Sequence, residues 1–464
     1  MDQTVVTLVE NRVFDEINVG DTASVERTMR MQDITLFSVI SGDVNPAHLD
    51  PVYASTDMFH HIVVQGVLTA GLISAVLGTK LPGPGTIYLG QDLTFRAPVS
   101  PGDTITATVT VTAKIAGKHH VILDCRCVNQ DGVEVIHGTA TVMAPAEKTS
   151  RPAMPLPDVR LVDHAWSRGL MTQALSRPAL TTAVVHPCDA ASLQGAVEAA
   201  ASNLIVPILV GPEARIRATA SAAGIDISRY RLVPTAHSHD SAARAVALVR
   251  GGEAKLLMKG ALHTDELLHE VMRADTGLRT GRRLSHVFVL SVPGYARPLL
   301  VTDAAINIAP TLEEKVSIVQ NAIDLAHVLG VENPRVAILA AVETVNPAMP
   351  STIDAAAICK MAERGQITGG LVDGPLAFDN AVSREAAQEK GIVSPVAGQA
   401  DILLVPDIEA GNMLVKQMTF MGGADAAGIV LGARVPIVLT SRADTVRTRL
   451  SSCAVAVLQA AAHP

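Results

Sequence analysis

The sequence has no excess of positive charge. Its 37 lysines and arginines stand against 45 aspartates and glutamates, a formal net charge of −8, which argues against non-specific nucleic-acid binding and against an anionic membrane surface. Any anionic ligand must then be held by local arginines and backbone amides, so the expected partners are small molecules. No apolar run approaches the roughly 18 residues that cross a bilayer; the longest, such as Ile205 to Val210 and Ile429 to Leu431, fall far short. The five cysteines lack metal-type spacing, and Cys125 and Cys127 stand one residue apart on an expected strand. No secretory n-region or apolar h-region opens the chain, so a reducing cytoplasm is expected. Cys188 and Cys359 read as small buried hydrophobes, because neither lies in an electropositive turn. There is no internal repeat and no low-complexity tract.

What is present is apolar and long. Hydrophobic residues make up 48% of 464 residues and charged residues 18%, enough for large buried sheets, and the length suggests about two to four domains. The pattern changes near Ala146, where Glu147 to Pro157 is polar and proline-bearing. The expected organisation is a first domain over 1–146, a linker over 147–158 and a second domain over 159–464. Before the boundary, an apolar helix from Val67 to Leu77 precedes four alternating runs, Thr86 to Phe95, Thr104 to Lys114, His119 to Asn129 and Val133 to Met143. A helix apolar on nearly every side must be wrapped, and an antiparallel sheet curled around it gives an α+β hot-dog domain. After the boundary, strands and helices alternate, which predicts an α/β fold with a parallel, doubly wound sheet. It divides into two lobes, lobe I about 159–288 plus 437–464 and lobe II about 289–436.

The run Ser41-Gly42-Asp43-Val44-Asn45-Pro46-Ala47-His48 puts a carboxylate and an imidazole five residues apart across an Asn-Pro turn. Such a turn can bring both to one water, giving the two proton-transfer groups that hydration of a carbon–carbon double bond requires. Read without context, the same residues also suit an Asx-turn and a surface imidazole. The run resembles the signature of MaoC-like (R)-specific enoyl-CoA hydratases, and the resemblance continues through Asp50-Pro51, Val64 to Ser74, Tyr88 to Gln91 and Phe95 to Val99. It implies that Asp43 and His48 activate water for attack on C3 of a trans-2-enoyl-CoA and protonate C2. It further implies that the Gly66 N–H, at the start of the central helix, holds the thioester oxygen, and that Ser74 lies near the site. An uncapped helix N-terminus stabilises developing enolate charge, which gives the Gly66 role its physical reason. Gln65 departs from the family, which usually has histidine there.

In the second region, Ala400 to Lys416 and Val435 to Arg442 each read as a buried strand ending in polar residues. Ligands meet open α/β sheets beyond the carboxyl ends of the strands, which nominates Asn412, Lys416, Ser441 and Arg442, with arginine supplying a planar fork for phosphate oxygens. Spacing alone better suits Ser441 as a helix cap with Arg442 and Asp444 exposed in the first turn. Residues of about 159 to 464 resemble the phosphate acetyl/butyryltransferases. The matching motifs are Met258-Lys259-Gly260, Gly277 to Thr280, Thr302 to Asn307, Val372 to Leu376, Glu409 to Asn412 and Thr440-Ser441-Arg442. The resemblance implies acyl transfer between CoA and phosphate, with Ser441 and Arg442 lining the site. Thr448 stands where that family has an aspartate assisting the thiol, with Asp444 a possible substitute, and His269 stands near an expected arginine.

The expectation is therefore a bifunctional enzyme with acyl-CoA, enoyl-CoA and phosphate as substrates. No metal or redox cofactor is implied, no nucleic-acid or membrane partner is expected, and a homo-oligomer is expected from the fold class. The alternative is a hydratase whose C-terminal domain senses CoA or oligomerises without catalysis.

Overall fold

A computed structural model of the chain describes residues 8–157, 159, 161, 164–439 and 444–462. They form two compact units, Met1–Leu161 and Val162–Pro464. Among the described residues no helix is long and apolar enough to cross a membrane.

The strands of the first unit are β1 (Leu8–Glu10), β2 (Thr22–Thr28), β3 (Ile87–Phe95), β4 (Thr104–Ile115), β5 (His120–Val128), β6 (Glu134–Met143) and β7 (Ser150–Pro152). Five of them make an antiparallel sheet in the order β2-β4-β5-β6-β3. Alternation dictates its inner face: Ile105, Ala107, Val109 and Val111 from β4 meet Val121, Leu123, Cys125 and Cys127 from β5, all buried. The two neighbouring cysteines are thus strand-core residues on one face, and burial pushes both thiols up to about 12. Against this face lies the helix Gly66–Thr79, which buries Thr69, Ala70, Leu72, Ile73, Val76 and Leu77. The sheet does not wrap the helix on all sides. Gly71, Ser74, Ala75 and Gly78 are exposed, and side chains this small forfeit little by remaining in water.

The segment read as a linker is partly structured, since β7 pairs antiparallel with β1. Asn11 bolts this pair in place while only 1% exposed. Its amide donates to the Pro84 and Glu147 carbonyls at 3.0 and 2.8 Å, and its oxygen accepts from the Thr149 N–H at 2.8 Å. Composition signalled a polar connector there; a single distant asparagine decides that it pairs.

The second unit contains β8 (Leu180–Val185), β9 (Ile205–Gly211), β10 (Arg231–Pro234), β11 (Leu256–Lys259), β12 (Ser285–Ser291), β13 (Leu299–Thr302), β14 (Arg335–Leu339), β15 (Leu371–Leu376), β16 (Ile402–Leu404), β17 (Asp425–Leu431) and β18 (Ile437–Val438). They form one sheet in the order β10-β9-β8-β11-β18-β17-β12-β13-β16-β14-β15. It is not parallel throughout. Two parallel groups, β10-β9-β8-β11-β18 and β13-β16-β14-β15, flank antiparallel β17 and β12. The reason is connection length: β12 to β13 and β17 to β18 are joined by short loops, whereas a parallel crossover needs about a dozen residues or more. The order also turns at β8, from which β9 and β10 extend one way and β11 the other, the type of position at which α/β sheets open a ligand crevice.

Candidate functional site

In the first unit the helix Met31–Ser41 stops at Gly42, whose φ of 77° supplies the left-handed cap. The turn that follows is built from its own polar side chains. Asp43 Oδ1 accepts from the Asn45 N–H at 3.1 Å, and Asn45 Oδ1 accepts from the Ala47 N–H at 3.2 Å, starting the short helix Pro46–Leu49. An Asx-turn is therefore present, and it leaves Asp43 Oδ2 free to lie 3.8 Å from His48 Nε2. On its other side His48 Nδ1 is 2.7 Å from the Val63 carbonyl. A carbonyl only accepts, so Nδ1 carries a proton and donates it there, which leaves Nε2 as the nitrogen that faces Asp43. The 3.8 Å gap is too long for a direct hydrogen bond and suits one water touching both groups.

Val63 also lines a mostly apolar cavity of about 480 Å³ with Phe59, Gly66, Thr69, Phe95 and Ile136. The helix starting at Gly66 has no side-chain cap at Gln65, so its first amide faces outward unpaired by a capping group. Gly66 also lies close beneath a ring: a Cβ there would stand 2.8 Å from Phe95 Cε1. Ser74 is exposed, eight residues or about 12 Å further along the helix, and it does not line this cavity. Gly66 thus lines the cavity; His48 and, through it, Asp43 connect to it by the Val63 carbonyl without lining it, and Ser74 has no such connection.

In the second unit a cleft of about 1420 Å³ opens beside the carboxyl ends of β11 and β18. Asn412, Lys416 and Asp444 all line it, together with Lys259, Asp425, Arg447 and Thr448. Ser441 and Arg442 lie outside the described residues. The motifs quoted above shape this cleft. Gly260 lets β11 end against β8, since a Cβ there would stand 2.3 Å from the Val185 carbonyl oxygen. Gly411 lets the helix Ile408–Phe420 approach the loop after β13, with a Cβ at that site 3.0 Å from Ala304 Cβ, and Asn412 donates to the Ala304 carbonyl at 3.2 Å. That loop is held by Asp303, whose carboxylate accepts from the amides of Ala305, Ile306, His286 and Asn307 and from Asn307 Nδ2.

Residues 235–457 match the family described as phosphate acetyl/butaryl transferase. A phosphate acetyltransferase of Rhizobium meliloti is 64% identical over 292 residues, which are 63% of this chain and 92% of that protein. The chain belongs to the phosphate acetyl/butyryltransferase family. A branched-chain phosphotransacylase of Enterococcus faecalis V583 is 33% identical with a TM-score of 0.54, covering 61% of this chain and 99% of its own. Ahead of this transferase domain, residues 16–126 match the MaoC like domain. The R-hydratase PhaJ1 of Pseudomonas aeruginosa is 41% identical over 34% of this chain and all of its own, at a TM-score of 0.33. The protein joins a MaoC-like domain to a phosphate acetyl/butyryltransferase domain.

Asp425, Arg447, His164 and Ser167 of the transferase domain escaped the sequence reading. His269 is exposed on the helix Thr264–Val271 and does not line the cleft, whose cationic side chains include Lys259, Lys416 and Arg447. Arg447 is 3.1 Å from Asp425 Oδ1, and Asp425 Oδ2 accepts from His164 Nδ1 at 2.6 Å and Ser167 at 3.0 Å. Burial would push the Asp425 carboxyl up, but the hydrogen bonds from His164, Arg447 and Ser167 outweigh it and hold the group below the usual carboxylate range. Asp425 opens β17 and its partners come from opposite ends of the domain, so no local motif marks them.

His286 is completely buried beside Phe288, a cleft residue, with ring centroids 4.3 Å apart. Burial pushes its imidazole down to about 4, against the upward pull of Asp303. A histidine held neutral in the fold contributes fully above its unfolded value of about 6.5 and loses that contribution as pH falls toward 4. His286→Phe is expected to flatten this part of the stability profile, read as the difference in Tm between variant and wild type from about pH 7 to pH 4.

Proposed function

We propose that the protein is a bifunctional acyl-CoA enzyme. The N-terminal domain adds water to a short trans-2-enoyl-CoA, delivering hydroxyl to C3 and a proton to C2 to give an (R)-3-hydroxyacyl-CoA. Asp43 and His48 flank the water, and the Gly66 N–H takes the thioester oxygen. The observation carrying this reading is the 3.8 Å approach of Asp43 Oδ2 to His48 Nε2, with His48 Nδ1 bound to the carbonyl of Val63 in the wall of a cavity that Gly66 also lines.

In the C-terminal domain a phosphate oxygen attacks the thioester carbonyl, the carbon–sulfur bond breaks, and CoA leaves as acyl phosphate forms. Lys259, Lys416 and Arg447 in one cleft support an anionic pair of substrates, with Ser441 and Arg442 assigned to the reacting centre, Asn412 and Asp444 to its walls. CoA thioesters and phosphate are substrates, and this chemistry asks for no cofactor. The named relatives span acetyl and branched-chain transfer, so the acyl group is decided by assay. Phosphate-dependent release of CoA is expected from at least one of acetyl-, butyryl- and (R)-3-hydroxybutyryl-CoA, falling by orders of magnitude in Ser441→Ala. Release from none of them, by protein that hydrates crotonyl-CoA, would leave hydration as the activity and the second domain as a CoA-sensing module.

The substrates and five free thiols support a cytoplasmic protein. Val39, Ile40, Val44 and Val67, exposed by 64 to 82%, support a homo-oligomer in which a second copy covers them. Ile40→Glu tests this by sedimentation velocity, with a smaller species expected.

A further inference from the structure

Thr69, on the helix that opens at Gly66, and Gln65, the residue just before that helix, are polar and four apart, and both are almost wholly buried, at 1% and 3% exposure. Among the described residues, Thr69 Oγ1 and Gln65 Oε1 have no hydrogen-bond partner. The Gln65 amide is fixed in orientation, because Nε2 donates to Ser38 Oγ at 2.9 Å and to the Ile34 carbonyl at 3.2 Å. A helical threonine usually turns its hydroxyl back to the carbonyl one turn earlier. Here the Gln65 carbonyl accepts from the Thr69 amide at 3.2 Å, and the hydroxyl makes no such bond. Buried hydroxyls left unpaired in native proteins are few, and a functional partner is one recurring reason for them.

Thr69 lines the same cavity as Gly66, in a wall otherwise made largely of valine, phenylalanine, proline and isoleucine. Side chains on a helix lean toward its N-terminus, so Thr69, three residues after Gly66, leans over the first turn and its uncapped amide. We propose that the Thr69 hydroxyl is a second hydrogen-bond donor to the thioester oxygen, acting with the Gly66 N–H on the enolate that forms as water adds. The two staggered positions open to a threonine hydroxyl in a helix let it turn from the wall into the cavity when the oxygen arrives. Negative charge develops on that oxygen only during reaction, so the second donor lowers the barrier more than it tightens binding.

This inference rests on the hydratase reading, and Asp43→Asn separates the two. On crotonyl-CoA, Thr69→Val is expected to lower kcat about a hundredfold with KM little changed, and Thr69→Ser to retain most activity. Because valine removes an unpaired buried hydroxyl at nearly constant shape, the Tm of Thr69→Val is expected to equal or exceed wild type. Wild-type kcat in Thr69→Val alongside an inactive Asp43→Asn would overturn the second donor alone. So would loss of activity accompanied by a lowered Tm, or a Thr69→Ser no better than the valine variant. A fully active Asp43→Asn would overturn the hydratase reading and this inference with it.

Discussion

Asp43→Asn is expected to lower kcat for crotonyl-CoA hydration by about 10²–10⁴-fold, the range general acid–base groups supply, with KM nearly unchanged. The asparagine keeps an Oδ1 that can hold the Asn45 amide, as Asp43 does at 3.1 Å, so the turn should survive. What is lost is the charged oxygen that faces His48 Nε2 at 3.8 Å. Stopped spectrophotometric assay of the enoyl thioester measures kcat, and a loss below tenfold would show that Asp43 holds the turn and nothing more. Phosphate-dependent CoA release by the same variant is expected to stay at the wild-type rate, because a separate unit with its own cleft carries it.

The second large effect is expected from Asp303→Ala. Its carboxylate receives hydrogen bonds from Ala305 and Ile306 at 2.9 and 3.0 Å, from His286 and Asn307 amides at 3.2 and 3.3 Å, and from Asn307 Nδ2 at 2.6 Å. Each orphaned buried donor costs about 1–3 kcal/mol, and Asn307 keeps its bond to the Leu284 carbonyl, so a loss of about 3 kcal/mol or more is expected. Calorimetry should show the transition of the C-terminal domain at a distinctly lower temperature. Because Ala304 carries the carbonyl that holds Asn412, KM for phosphate or CoA should also rise in whatever fraction remains folded. A variant with unchanged Tm and unchanged KM would mean that water replaces the carboxylate and that the loop is not held through Asp303.

Much of both folds is legible locally. The alternation in β4, β5 and β6 and the apolar helix beside them locate those elements to within a residue or two, because a period of two has one solution once one face is buried. The strand β2 was not read, since Thr22 to Thr28 alternates only weakly and owes its place to pairing with β4. The mixed direction of the larger sheet was also missed: β17 is apolar enough to pass for any buried strand, and only the short loop to β18 sets its sense. At the sites, Asp43 and His48 could be nominated because they share one turn, and Asn412 and Lys416 because they follow a strand. Asp425, with partners 22 to 261 positions away, had no local signal.

Sequence alone determined the chemistry available: a carboxylate and an imidazole on one turn, an uncapped helix start eighteen residues on, and polar residues closing apolar strands. These follow from backbone propensity and periodicity, which act over a few residues and leave their marks in order along the chain. Only tertiary structure decided that His48 donates its Nδ1–H to the Val63 carbonyl and so turns Nε2 toward Asp43. It alone sent Ser74 to the exposed side of its helix and left the hydroxyl of Thr69 unpaired in the wall of the cavity. Those outcomes depend on which surfaces meet across tens or hundreds of residues. Hydrogen-bond partners and burial are properties of that meeting, and no spacing in the sequence encodes them.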